Sequence, residues 1–221
     1  MKNRNNYKET WNALATGMES AKKFVSGFQE EEEFTRTALK TIEILRGTVN
    51  LKPADEILEI GCGVGRVGKE LAPICSFWTG SDISGNMIEH AQNRLDSLDN
   101  VRLVELSKVG LNEFEDASFD LVYSTVVFMH LLEWDRYSYI EEAFRVLRPG
   151  GRCFVDNIDI TSSTGKKMFL EGHSFKTEER PDHLSMVSTG DELETYLKWA
   201  GFQKISLQRW DDAWIGAYGE K

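Results

Sequence analysis

Glu59, Gly61, Gly63 and Gly65 form the densest group of residues able to do chemistry. Ile57-Leu58-Glu59-Ile60 is a short β-prone run, and Gly61-Cys62-Gly63-Val64-Gly65-Arg66 follows it directly. Glycines alternating after a strand permit a sharp strand-to-helix turn and close approach of a ligand at the carboxyl end of a sheet. A carboxylate in an otherwise apolar strand is costly unless it meets a partner, so Glu59 points to a ligand carrying positive charge. The blander alternatives are a turn that needs glycine for its geometry alone and a solvated strand acid.

Two ligands compete for this loop. Gly63, Gly65 and Gly68 satisfy G-x-G-x-x-G, the spacing of a dinucleotide site, which would make the chain an NAD(P)-dependent oxidoreductase. That fingerprint ordinarily starts as the strand ends and seats a pyrophosphate on a helix N-terminus, whereas this match starts two residues after Gly61. S-adenosyl-L-methionine instead brings an ammonium, a carboxylate and a sulfonium, and Glu59 has a charge to meet.

The segment from Ile57 to Arg66 resembles motif I of the class I S-adenosylmethionine-dependent methyltransferases, and later segments resemble further motifs in the same order, of the kind found in ubiquinone and menaquinone methyltransferases. The resemblance runs from Asp55 to Gly151. It implies that Asp82, in Gly80-Ser81-Asp82-Ile83-Ser84, grips the two ribose hydroxyls, since a carboxylate can accept both hydrogens. Ile83 would lie against the adenine and Met87 close over it, unless Met87 is ordinary helix packing. Gly61, Cys62, Gly63 and Leu106 complete the cofactor set, with Ser124 at the end of the strand that meets the methionine part. Glu142-Ala143-Phe144-Arg145-Val146-Leu147-Arg148-Pro149-Gly150-Gly151 is similar to the family's segment before its fifth strand. The chain departs from the pattern after the third strand, where Val104-Glu105-Leu106-Ser107-Lys108 puts Ser107 in the place of an acid that accepts from the adenine amino group; a hydroxyl accepts without charge assistance.

Alternating elements must position these groups. Apolar residues at Ala38, Ile42, Leu45 and Val49 predict a helix from Phe34 to Leu51, stopped before Pro53. Strands are expected at 56–60, 77–82, 101–106, 119–124 and 152–157, with helices at 66–71, 86–98 and 134–147 between them. A helix at 190–200, capped by Ser188 or Thr189, precedes β-prone stretches at 202–210 and 213–218. Only antiparallel strands can be joined so tightly. The expectation is an α/β, Rossmann-like three-layer sandwich with a seven-stranded, mostly parallel sheet, strand seven reversed. Residues 1–52 are read as an N-terminal helical cap and 53–221 as the core of one methyltransferase domain.

The substrate side is less specified. Tyr7 and Trp11 are candidates for a lid, while Phe24 and Phe34 read as cover for the sheet. His130, after the fourth strand, titrates near neutrality and is a candidate proton acceptor; its alternative is a structural histidine. The connection 157–188, with Asp159, His173, Arg180 and His183, is read as a substrate-facing insertion. Glu30 to Glu33 reads as a solvated, acid-rich helix start.

With 221 residues and a formal net charge of −10, the chain fits one α/β domain whose field repels phosphate backbones, and no basic stripe compensates. No nucleic-acid partner is expected. No apolar run is long enough to span a bilayer, and the start Met1 to Asn6 lacks a hydrophobic stretch, so no membrane partner and a cytoplasmic location are expected. Cys62, Cys75 and Cys153 suit neither a disulfide framework nor a zinc site, and no metal is expected. The expected activity is methyl transfer from S-adenosylmethionine to an oxygen or nitrogen of a small-molecule acceptor, leaving S-adenosyl-L-homocysteine. A non-catalytic regulatory protein that binds the same cofactor is the further alternative.

Overall fold

Alternation along each strand sorts its side chains onto two faces, and in the computed structural model, which describes residues 6–221, that sorting builds a covered sheet. The strands are β1 (Glu56–Ile60), β2 (Phe77–Asp82), β3 (Val101–Glu105), β4 (Phe119–Ser124), β5 (Leu147–Ile158), β6 (Gln203–Trp210) and β7 (Trp214–Glu220). They lie in the order β3-β2-β1-β4-β5-β7-β6. β1 to β5 run parallel, and β7 is antiparallel to both β5 and β6. The expected Rossmann-like topology with a reversed seventh strand is the one observed.

The helices are α1 (Tyr7–Leu14), α2 (Met18–Ser26), α3 (Glu31–Val49), α4 (Arg66–Leu71), α5 (Gly85–Leu95), α6 (Glu133–Val146), α7 (Ser163–Ser174) and α8 (Gly190–Ala200). Residues 1–5, the start of the expected cap and most of the segment read for a leader, lie outside the described residues. On one face of the sheet Leu58, Ile60, Val122 and Val155 pack with Tyr139, Ile140 and Ala143 of α6 and with Leu193 and Leu197 of α8. On the other, Ile57, Trp78, Tyr123 and Phe154 pack with Ile42, Leu45 and Val49 of α3 and with Val67 and Leu71 of α4. Period two therefore sends Ile57 and Glu59 to the α3 and α4 side while Leu58 and Ile60 go to the other.

Three departures from expectation have local causes. β5 starts at Leu147, not Arg152, because Gly150 at φ +78° and a register shift against β4 between Phe119 and Leu121 carry the Pro-Gly-Gly segment into the strand. α7 occupies part of the connection read as an insertion, and the Ser162 side chain caps it by accepting from Gly165 N–H. Glu31 is more than a solvated helix start: it pairs with Lys22 (2.5 Å) and Arg94, and Lys69 lies 3.7 Å away, joining α2, α5 and α4. The Arg94 hydrogen bond leads the pull that brings its carboxyl down to about 2.

A buried ion pair fixes α3 against the sheet. Arg152, on β5, donates from Nε to the Val49 carbonyl (3.0 Å), from Nη1 to the Asp120 carbonyl (3.1 Å) and from Nη2 to Asp55 Oδ2 (2.5 Å). Asp55 is 3% exposed and Arg152 8%. Asp55→Ala would strand that guanidinium, at an expected loss of about 3–5 kcal/mol. Urea unfolding should show a lower midpoint with an unchanged slope; a midpoint equal to that of the parent would refute this role.

Candidate functional site

The chain leaves β1 through a turn that only glycine accommodates. Gly61 (φ +74°) and Cys62 both donate their N–H groups to the Ser81 carbonyl, at 2.7 and 2.9 Å. A Cβ on Gly61 would fall 2.3 Å from Val127 Cγ2, and one on Gly63 (φ +54°) 2.6 Å from Val25 Cγ2. The flattened loop forms the floor of an open cleft of about 760 Å³ at the carboxyl end of the sheet. Gly68, the third glycine of the dinucleotide-like spacing, is explained by packing: a Cβ there would fall 2.5 Å from the Trp78 ring.

Asp82 ends β2 beside this loop. Its Oδ2 accepts from Gly63 N–H and its Oδ1 from Ser84 N–H, each at 2.9 Å. Each carboxylate oxygen keeps a further lone pair for a ligand. Burial lifts the Asp82 carboxyl to about 6, against the opposing effect of those two backbone donors.

Glu59 is buried on the α3 and α4 side of β1, and two aromatic residues solvate it. The Trp78 indole donates to the Tyr123 hydroxyl (3.2 Å), which donates to Glu59 Oε2 (2.6 Å). Burial raises the Glu59 carboxyl to about 7, while the Tyr123 hydrogen bond and the charge of Arg66 act in the other direction. The carboxyl borders the cleft.

Most residues singled out from sequence meet at this one cleft. Glu59, Gly61, Cys62 and Gly63 line its floor, Asp82, Ile83, Met87 and Leu106 one side, and Tyr7, Trp11 and His130 the other. Two do not line it. Ser107 is exposed, with its N–H donating to Glu113 Oε1 (2.9 Å), because the chain turns outward after Leu106. Ser124 is fully buried and donates its hydroxyl to the Ile60 carbonyl (3.1 Å), bracing β4 against β1 beneath the loop.

Helix α1 crosses the cleft and is pinned at both ends. The Tyr7 hydroxyl donates to Asp135 Oδ2 (2.6 Å) and accepts from Leu132 N–H (3.0 Å), at the start of α6. Asn12 accepts from the Ser84 hydroxyl (2.7 Å) and from the Asn86 side-chain amide (2.9 Å), at the start of α5. Between them the Trp11 ring meets His130 edge-on, with centroids 4.8 Å apart. His130 Nδ1 lies 3.1 Å from the His183 carbonyl, which can only accept, so a neutral His130 ring has its basic lone pair on Nε2.

Arg66, Thr125 and Val126 also line the cleft and were missed from sequence. Their signal was adjacency: Arg66 directly follows the glycine loop, and Thr125 follows the strand end at Ser124. Among the described residues no group of three or more His, Cys, Asp and Glu side chains could hold a metal ion, and no helix is long and apolar enough to cross a membrane.

The family described as "Methyltransferase domain" matches residues 58–155, the span from β1 into β5. The 27-O-demethylrifamycin SV methyltransferase of Amycolatopsis mediterranei is 29% identical over 188 residues, covering 82% of this chain and 67% of that protein. The demethylmenaquinone methyltransferase of Tropheryma whipplei is 31% identical over 133 residues, covering 59% and 50%. Among solved structures, magnesium protoporphyrin IX methyltransferase from Synechocystis PCC 6803 with bound SAH is 14% identical, with a TM-score of 0.72 over 97% of each chain. The chain spans about two thirds of the length of the first of these relatives and half of the second.

Proposed function

We propose that the chain is a class I S-adenosylmethionine-dependent methyltransferase that transfers a methyl group from S-adenosylmethionine to an oxygen or nitrogen of a small molecule, a reading that the methyltransferase-domain match and the methyltransferase relatives support. The observation that carries this reading is the pairing of the glycine floor with Asp82, whose two oxygens are fixed by Gly63 and Ser84 yet retain lone pairs toward the cleft. S-adenosylmethionine, when bound, supplies a methyl group activated on a sulfonium.

The residues fit that molecule's chemistry. Asp82 would accept the ribose hydroxyls, and Ile83, Met87 and Leu106 would give the adenine an apolar slot. Glu59 would meet the ammonium. The loop from Gly61 to Gly63 would let the amino acid part approach the backbone. Ser124 would act from beneath, by holding the Ile60 carbonyl, and Ser107 is left outside the adenine contacts by its outward turn. Alignment and exclusion of water provide most of the rate, worth about 7–11 kcal/mol for a well-oriented pair. Tyr7 and Trp11 would provide that exclusion as parts of a pinned lid, and His130 Nε2 would take the acceptor's proton.

The buried acids give this reading a pH signature. Burial raises the carboxyls of Asp82 and Glu59 to about 6 and about 7, above their ordinary 3.8 and 4.5. Folded values raised in this way stabilise the protein fully below the unfolded values and lose that contribution as pH rises through 6 to 7. A ligand with hydroxyls and an ammonium favours both ionised forms, so binding releases protons. Affinity for S-adenosylhomocysteine should therefore rise between about pH 5.5 and about pH 8, by up to about tenfold per unit for each proton released. Calorimetry in two buffers of different ionisation enthalpy checks it, and an affinity that is flat or falls with pH would count against the assigned roles.

The three cysteines are buried and unpaired, which suits a reducing compartment, and we place the protein in the cytoplasm. The test of function is a titration with S-adenosylmethionine, followed by a tritiated-methyl screen of phenols, carboxylates and amines. Binding with labelled product is expected. Binding of NADH in place of the adenosyl compound would remove the proposal, and binding without transfer to any acceptor would leave a regulator.

A further inference from the structure

The cofactor cleft has a neighbour. A space of about 970 Å³ adjoins it, bounded by α3, the end of β5 and the β6–β7 hairpin, and the two share Val25, Arg66, Thr125 and Val126. Three features converge at this junction.

Arg66 is 5% exposed, yet among the described residues its guanidinium makes no hydrogen bond and no ion pair. It feels Glu59 and Asp156 only through longer-range attraction. Its nitrogens keep accessible surface in the cleft, so its five donors remain open to an acceptor there. Thr125 is 7% exposed, and its buried Oγ1 has no hydrogen-bond partner among the described residues. Between the two clefts Val126 sits at φ +64°, a conformation that a β-branched residue rarely adopts, held by its N–H donating to Asp156 Oδ1 (2.7 Å). A guanidinium open to the cleft, one buried hydroxyl without a partner and a strained turn thus occupy one spot.

The wall facing them is aromatic. Trp210 and Trp214, paired across the hairpin, stack with centroids 6.4 Å apart and planes 8° from parallel, and Phe154 lies 6.3 Å from Trp210. The cleft's other cations, Arg36 and Lys40, are paired with Glu33 and Asp211. Among the described residues that line this cleft, Arg66 is therefore the cation left to bind an anion.

Building on the methyltransferase reading, we propose that this junction anchors the methyl acceptor, and that the acceptor is a flat aromatic molecule bearing an oxyanion. Arg66 and Thr125 hold the oxyanion, a carboxylate or an ionised phenol, and the ring lies toward Phe154, Trp210 and Trp214. A charged donor paired with an anionic acceptor gains over a neutral hydroxyl, which sets the expected preference.

The test uses the full chain saturated with S-adenosylhomocysteine and two probes of one shape, 1-naphthoate and 1-naphthylmethanol, titrated by calorimetry. The naphthoate should bind about tenfold more tightly, and Arg66→Met, titrated at saturating S-adenosylhomocysteine, should abolish that preference. Thr125→Val, which keeps the shape, should reduce the preference by about threefold and carries the test should Arg66→Met fail to fold. Equal binding of the two probes by the parent protein overturns the proposal. So does a large loss of S-adenosylhomocysteine affinity in Arg66→Met with the naphthoate preference intact, which would assign the guanidinium to the cofactor's own carboxylate. If S-adenosylhomocysteine does not bind at all, the methyltransferase reading fails separately, and the naphthoate preference of the unliganded chain still decides whether the anchor exists.

Discussion

Asp82→Ala should weaken binding of S-adenosylhomocysteine by about a hundredfold or more. Two ribose hydroxyls donating to one carboxylate are charge-assisted hydrogen bonds, each worth about 1.5–3 kcal/mol, and alanine removes both. The substitution also deprives Gly63 and Ser84 N–H of their acceptors, so the loop loses support from the end of β2. Thermal unfolding measured alongside calorimetry separates the two effects, because a variant that is less stable but still folded does not lose affinity on that account. Affinity within about threefold of the parent protein would mean that the ribose lies elsewhere.

Gly61→Val should be the more damaging change to the loop itself. A β-branched residue at φ +74° carries a backbone penalty of about 1–2 kcal/mol, and its Cβ would overlap Val127, 2.3 Å away. Val127 belongs to the segment that carries Thr125 and His130, so the turn must move or push that segment aside. Either movement alters the cleft floor, and an expected loss of at least about tenfold in cofactor affinity follows. Gly47→Ala provides the contrast: in the last turn of α3, with nothing within 4 Å of the added Cβ, it should be neutral or stabilising by up to about 1 kcal/mol. If the two variants bind S-adenosylhomocysteine equally well, the loop is not the floor of the site.

The parts of this site that could be read from sequence are those whose reasons are local. A strand of period two ending in alternating glycines needs no tertiary knowledge to be recognised as a turn, and Asp82, at the end of the next strand, was singled out by the family resemblance. The alternation of strands and helices likewise fixes the parallel sheet, and the short Asp211-Asp212 connection fixes the reversed strand. What escaped depends on packing. Ser107 stands where an adenine contact was expected, but the chain's outward turn after Leu106 is decided by Glu113, six residues later. Ser124 looked like a cofactor contact until the alternation of β4 aimed its hydroxyl at the Ile60 carbonyl.

Charged residues were the hardest to read. Arg66 at a helix start resembles a solvated surface residue, and its burial comes from distant elements: Val25 of α2 borders both clefts with it and Asp156 of β5 the second. Glu31 sits in an acidic run that suggests solvent, yet Arg94, 63 residues away, supplies its main partner. Helix α7 lacked a clean apolar stripe because Phe169 and Leu170 are about half exposed, so periodicity had little to detect.

The most direct measurement is a crystal structure of the full chain grown with S-adenosylhomocysteine. It should show adenine beside Ile83, Met87 and Leu106, ribose on Asp82 and the amino acid end above Gly61 near Glu59. A cleft that stays empty at saturating ligand, or one that prefers a dinucleotide with its pyrophosphate on the glycine turn, would contradict the account.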